Sequence, residues 1–231
     1  SEKSAVLMEN DGILPLKGTE KIAVVGDFAF KPRYQGAGSS IVNPIRLTTA
    51  IEELKKSEFS AIFYSRGFER YGKKNKKLLK EAERISGQAE VTLFFAGLDE
   101  YSEAEGIDRK DMKIPENQIE VFKDLIKAGR KVVLILHCGS SVELDWTEGA
   151  SACIDLLTGK ANPCGKLAET WWRKYEDCPT SDSELFPGGE DEVVYREGLF
   201  SGYRAKTKTP PRYEFGYGLS YTKFEYENLQ I

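Results

Sequence analysis

The sequence predicts an α/β fold: a three-layer sandwich around a mostly parallel sheet, with an irregular C-terminal wrap. Three observations point to it. Short, β-branched apolar runs recur along the chain as far as Leu136. Amphipathic stretches with helical spacing lie between them. The runs are apolar almost throughout, as strands covered on both faces are, so the sheet is expected to be parallel and layered with helices.

Each element follows from its own pattern. Lys21-Ile-Ala-Val-Val-Gly26 reads as a buried strand ending in glycine. Thr48 to Lys56 places Ala50, Ile51 and Leu54 at helical spacing, and Ser60-Ala-Ile-Phe-Tyr64 reads as a second strand. Asn75 to Ser86 is a helix with Leu78, Leu79, Ala82 and Ile85 on one face. Val91-Thr-Leu-Phe-Phe-Ala96 is the third strand. Pro115, at a first helical position, opens a helix over Glu116 to Ala128, and Gly129 ends it. Lys131-Val-Val-Leu-Ile-Leu136 is the fourth strand. A helix is expected over Gly149 to Leu157, with a fifth strand before it, yet the residues after Trp146 cannot supply that strand. Residues 1–176 read as the sandwich. Residues 177–231, rich in Pro, Gly, Tyr and Phe, read as a wrap over the same domain. The wrap ends in a strand-like Ser220-Tyr-Thr-Lys-Phe-Glu-Tyr226 that could open a further β-domain.

Composition narrows the function. The 231 residues, 40% hydrophobic, suffice for one substantial core. A net charge of -4 argues against a nucleic-acid partner, which rewards clustered Lys and Arg. The basic run Lys73-Lys74-Asn75-Lys76-Lys77 reads as a solvated helix face. No apolar stretch reaches the ~20 residues of a membrane span, and the opening Ser1-Glu2-Lys3-Ser4 has no apolar signal core. No membrane partner is therefore expected. Cys138, Cys153, Cys164 and Cys178 lack CxxC spacing, so reduced structural thiols in a cytoplasmic protein are expected rather than zinc or a redox pair.

The third strand leads into Leu98-Asp-Glu-Tyr-Ser-Glu-Ala-Glu-Gly-Ile-Asp-Arg109, which carries carboxylates at Asp99, Glu100, Glu103, Glu105 and Asp108. Ligands on parallel sheets bind outside the carboxyl ends of the strands, where this loop lies. A solvated acidic loop, with Arg109 paired to Asp108, is the competing reading. Other candidates are weaker. Gly36-Ala-Gly-Ser-Ser40 has neither the Lys of a P-loop nor GxGxxG spacing, so a nucleotide enzyme is disfavoured. His137 has no GxSxG elbow to serve and reads as a structural strand-end histidine. Trp171 and Trp172 read as packing, and Glu143, Asp145 and Trp146 as closing the loop after strand four.

Ordered segments along almost the whole chain resemble the second domain of family 3 glycoside hydrolases. They are Ser4-Ala-Val-Leu-Met-Glu-Asn-Asp-Gly-Ile-Leu-Pro-Leu16, the first strand with Gly36–Ser40, Glu105-Gly-Ile-Asp-Arg109 with Ile114-Pro-Glu-Asn-Gln118, Asn162-Pro-Cys-Gly-Lys-Leu167, Phe186-Pro-Gly188, Tyr195-Arg-Glu-Gly198, Gly202-Tyr-Arg204 and Phe215-Gly-Tyr-Gly-Leu-Ser-Tyr-Thr222. The resemblance implies a retaining β-glycosidase, most often a β-glucosidase, acting on a β-glucoside or short β-linked oligosaccharide without a cofactor or metal. It implies a nucleophilic Asp on a (β/α)8 barrel absent from this chain, and an acid/base Glu on the sandwich. Matching the motif puts the acid/base at Glu105, directly before Gly106. Glu103, one register shift away, is the second candidate. Arg109 either fixes the loop or lines the sugar site. A non-catalytic carbohydrate-binding or domain-interface module is the alternative. The family's strand and Pro-Gly-Gln-Glu-Gly-like turn between the positions of Trp146 and Gly149 are reduced here to Thr147-Glu148; if those residues are truly deleted, the sheet should lose an element and the domain should be destabilised.

Overall fold

The computed structural model describes residues 2–147 and 154–228. Four parallel strands form one sheet: β1 (Lys21–Val25), β2 (Ala61–Ser65), β3 (Val91–Gly97) and β4 (Val132–His137), in the order β2-β1-β3-β4. Helices α1 (Ala50–Leu54), α2 (Lys76–Ser86) and α3 (Glu116–Lys127) fill the connections, and α4 (Ile154–Leu157) follows β4. Crossovers between parallel strands are right-handed. The chain runs from β1 to β2 in one direction and from β2 back across β1 to β3 in the other. That reversal puts α1 on one face and α2 with α3 on the other, and α2 and α3 touch. The result is the three-layer sandwich.

Local chemistry explains where the helices start and stop. Thr49 and Glu52 form a reciprocal capping box at α1. The Asn75 side chain accepts from the Lys77 and Leu78 N–H groups at α2, so the basic run is a helix cap followed by an exposed first turn. Pro115 sits just before α3 with extended backbone, one position earlier than the expected first helical place. Beyond Ala128, Gly129 turns left-handed and ends the helix. The main core joins Ile22, Val24, Leu93, Phe94, Phe122 and Leu125 across the sheet and helices. A second cluster, with Leu98, Ile114, Leu144, Leu167, Trp171 and Tyr213, holds the wrap against the far side of β4.

The wrap is tied down by single bridges, Trp171 to Tyr213 and Leu7 to Leu219. The strand expected over Ser220 to Tyr226 is not formed. Phe224 and Tyr226 project into solvent, and a strand without a neighbour leaves its N–H and C=O groups unpaired. Of the helix expected over Gly149 to Leu157, Ile154–Leu157 is present. Residues 148–153, with the Glu148-Gly149 turn and Cys153, lie outside the described residues. Among the described residues the sheet ends at β4, without a fifth strand. A cavity of about 240 Å³ lies beside it, lined among others by Leu134, Leu136, Leu144, Leu167 and Trp171.

One side chain fixes the exit from β3. Gln118 is fully buried on α3. Its Nε2 donates to the Gly97 carbonyl at 2.9 Å, and its Oε1 accepts from the Gly97 N–H at 3.0 Å. Gln118→Leu keeps the packing but orphans both groups, so stability should fall by about 3 kcal/mol. Urea unfolding checks this: an unchanged midpoint would mean that Gly97 finds other partners.

Candidate active site at the carboxyl ends of the strands

β1 and β3 are neighbours whose outgoing connections leave in opposite directions, which opens a crevice above their carboxyl ends. The loop after β1 and the acidic loop after β3 meet there, and the loop after β4 closes one side. The five carboxylates separate into distinct environments. Asp99 is buried, and its Oδ1 accepts from the Tyr101 and Ser102 N–H groups at 2.8 and 2.9 Å, which starts the loop on a fixed turn. Glu100 is gripped by Arg70 through bonds of 3.0 and 2.6 Å. Arg70 also reaches Asp27 at 3.1 Å and lies 4.3 Å over the Phe28 ring. Asp108 is exposed.

Glu103 turns inward. Its Oε2 accepts from Arg33 Nη1 and, at 2.9 Å, from the Gly139 N–H, while Oε1 accepts from Ser140 Oγ at 3.2 Å. Burial pushes its carboxyl up. The Arg33 hydrogen bond, the Gly139 N–H and the charges of Arg33 and Arg109 outweigh that and hold it below the ordinary value of 4.5. Arg109 does not pair with Asp108. Its Nη1 donates to Ser140 Oγ at 2.7 Å and to the Ser141 carbonyl at 2.9 Å, and lies 3.9 Å from Glu103 Oε1.

Glu105 turns outward. The Ile107 N–H donates to the Ala104 carbonyl at 3.3 Å, closing a tight turn with Glu105 and Gly106 at its corners. Gly106 has φ +77°, the left-handed third position that glycine supplies at least cost. The Glu105 N–H donates to the Ala37 carbonyl at 2.9 Å, and its Oε2 accepts from Ser39 Oγ and, at 3.2 Å, from the Ser40 N–H. A Cβ at Gly38 would lie 3.0 Å from the Glu105 Cβ, so this close approach also calls for glycine. The Gly-rich loop therefore cradles a carboxylate, not a phosphate. Glu105 is thus an exposed glutamate, held by hydrogen bonds on a tight turn after β3.

Arg33, Ser39, Ser40, Gly139 and Ser140 were not singled out individually from the sequence. Only the folded crevice brings them to the two glutamates. His137 is packed against Phe28 and Phe95, and burial pulls it down to about 4, so it is neutral at pH 7. Trp171 and Trp172 are buried, Asp145 pairs with Arg212, and Trp146 Nε1 donates to the Glu143 carbonyl. Among the described residues, no group of three or more His, Cys, Asp or Glu is placed to hold a metal ion.

The fold and site define a parallel α/β domain that presents a glutamate at its topological switch. The sequence matches the Glycosyl hydrolase family 3 C-terminal domain over residues 5–221, and the chain belongs to that family. It is similar to the thermostable beta-glucosidase B of Acetivibrio thermocellus, 40% identical over 250 aligned positions covering 99% of this chain and 33% of the relative. It is also similar to an exo-alpha-(1->6)-L-arabinopyranosidase of Bifidobacterium longum, 33% identical and covering 100% of this chain and 34% of the relative. Among solved structures, the GH3 beta-glucosidase of Bifidobacterium adolescentis superposes with a TM-score of 0.84 at 35% identity, over 94% of this chain and 34% of its own. The chain thus spans about a third of the length of these relatives. The first alignment is longer than the 231 residues here, so that relative carries residues this chain lacks.

Two carboxyls make the domain sensitive to acid. Arg70 holds Glu100 below 4.5 against the opposing effect of burial, and Glu103 is held below it as described. Folded values below the unfolded ones mean stability that is complete above the unfolded value and lost as pH falls through the folded one. The stability gap between wild type and Glu100→Gln should be widest at neutral pH and shrink below about pH 4.5. Urea unfolding across pH 3 to 7 checks this, and a gap independent of pH would contradict it.

Proposed function

We propose that this chain supplies the general acid/base of a retaining β-glycosidase, with Glu105 as that residue. In this reading the nucleophile is an Asp on a (β/α)8 barrel elsewhere in the full-length protein, and the substrate is a β-glucoside or short β-linked oligosaccharide. The observation that carries it is the placing of Glu105: outward at the switch crevice, on a turn whose backbone and carboxylate are both held. A retaining enzyme needs a second carboxylate roughly 5 Å from its nucleophile to protonate the leaving oxygen and then to activate water. Such an acid must also be shielded from solvent to stay protonated near neutrality. This chain leaves Glu105 exposed, so the shielding has to come from another domain.

The surface around the crevice supports such a cover. Phe30, Tyr34, Ile41, Val42, Ile45 and Leu47, all on the loop after β1, are exposed, with Tyr101 and Ile107 on the acidic loop. Exposed apolar side chains concentrated on these two loops are what an interaction face would present. The same collar suits a non-catalytic interface module, the second reading, and the two differ in what Glu105 does. Beta-glucosidase is the activity named for one relative and arabinopyranosidase that for another, so the family match alone does not single out one sugar.

In the full-length protein, Glu105→Ala should lower kcat/KM on an alkyl β-glucoside by about 10³-fold, within the range for lost general-acid catalysis. A dinitrophenyl glycoside, whose leaving group needs no proton, should lose far less, and azide should restore turnover as the glycosyl azide. Equal losses on both substrates without rescue would favour the interface module. Gly38→Ala forces a side chain against Glu105 at a φ of +99°. It should lower the same kcat/KM by about 10-fold, because small misplacements of a reacting group are costly. Full activity in that variant would show that the cradle does not place Glu105.

A further inference from the structure

We infer that Glu103 is the positioning residue of this same site: its inward carboxylate pins together the three loops that present Glu105. The inference rests on the acid/base reading of Glu105 and adds a role for its neighbour.

The contacts form one frame. Arg33, on the loop after β1, donates through Nη1 to Glu103 Oε2 and, at 3.3 Å, to the Leu98 carbonyl, and through Nη2 to the Glu103 carbonyl at 2.7 Å. One guanidinium therefore grips both ends of the Leu98–Glu103 segment. The other carboxylate contacts come from the loop after β4, through the Gly139 N–H and Ser140 Oγ. Arg109, at the far end of the acidic loop, is held to Ser140 and Ser141. Glu103 thus belongs to the loop after β3 and its carboxylate bonds to the loops after both β1 and β4. Packing agrees with the bonding. A Cβ at Gly139 would lie 3.0 Å from Glu103 Oε1 and 3.1 Å from Cδ and Oε2, so the carboxylate rests directly on backbone.

The frame bears on Glu105 because the residues that hold Glu105 share its parts. Ala37, Ser39 and Ser40 lie on the same loop as Arg33. Fixing Arg33 to Glu103 sets how far that loop stands from the turn carrying Glu105, two residues along. Glu103 itself is a poor proton donor. Its oxygens face N–H, O–H and guanidinium donors, which favour the ionised form, and its side chain is 16% exposed. Without it, Arg33 and Arg109, 8% and 17% exposed, would face each other with no anion between them.

The test uses the full-length protein and an alkyl β-glucoside. Glu103→Ala should lower kcat by about 100-fold, the scale of a reacting group displaced by about 1 Å. KM should stay within about twofold, and azide should give no rescue. The basic limb of the pH profile, which reports the acid, should persist because that residue is still present. Glu103→Gln, which keeps an acceptor for the Gly139 N–H, should recover most of the loss, and it carries the test if the alanine variant does not fold. Arg33→Ala should behave like Glu103→Ala, and the double variant should be no worse than either single one, as for residues acting as a unit. Hydrogen exchange gives a readout independent of catalysis. Glu103→Ala should speed exchange at the Glu105 and Ser40 amides and leave β1 to β4 protected. Unchanged kcat with only a lowered Tm would overturn the inference, as would unchanged exchange at those two amides. Loss of the basic limb with azide rescue would overturn it too, by making Glu103 the acid. If Glu105→Ala retains full activity, the acid/base reading fails, and the exchange experiment still decides whether Glu103 positions the loop.

Discussion

β1 and β3 lie side by side although β2 falls between them in the chain, and the geometry of the site follows from that pairing. Successive right-handed crossovers can place strands on both sides of β1 only by reversing direction once. At the reversal the loops after β1 and β3 diverge, leaving their ends facing across a crevice. Gly26 and Gly97 end these strands, and each packs against backbone so closely that a Cβ would meet a neighbouring carbonyl. The sheet edges there are fixed, and whatever stands on them inherits a fixed origin.

The acidic loop uses that origin to give neighbouring glutamates opposite surroundings. Glu103 and Glu105 differ by two residues, yet a turn closed by Ala104 and Ile107 sends one carboxylate inward and the other outward. Inside, arginines and N–H donors compensate the cost of removing a carboxylate from water. Outside, serine and backbone donors steer the Glu105 carboxylate while leaving it open to a partner. On the proposed reading, a carboxylate that stays solvated until another domain covers it would become a useful acid only in the full-length protein.

The far side of the sheet shows a different balance. β4 is buried although it is the last strand among the described residues, because the wrap and the N-terminal segment pack beside it. Those segments are joined by isolated bridges rather than by ladders, and a cavity remains between them and β4. The crevice at the other end of the strands is built from β1, β3 and the end of β4, and each of its contacts survives this looser edge.

The sequence by itself determined the strands, their order of appearance, the helices between them and the loop that carries the acids. Periodicity and β-branching report which face of a segment is buried, and those signals are local. The family was also legible, because its motifs recur in order from Ser4 to Thr222 and the family match confirms them. Tertiary structure decided what Arg33 and Arg109 do. Spacing suggested an Arg109–Asp108 pair, but folding offers Arg109 the Ser140 hydroxyl, the Ser141 carbonyl and a buried carboxylate instead. It also decided that Ser220 to Tyr226 stays irregular, since alternation predicts a strand only where a neighbouring strand can pair with it. The contacts of Glu103 and Glu105 belong to this second kind of knowledge. They span 36 to 70 residues of sequence, which no local pattern encodes.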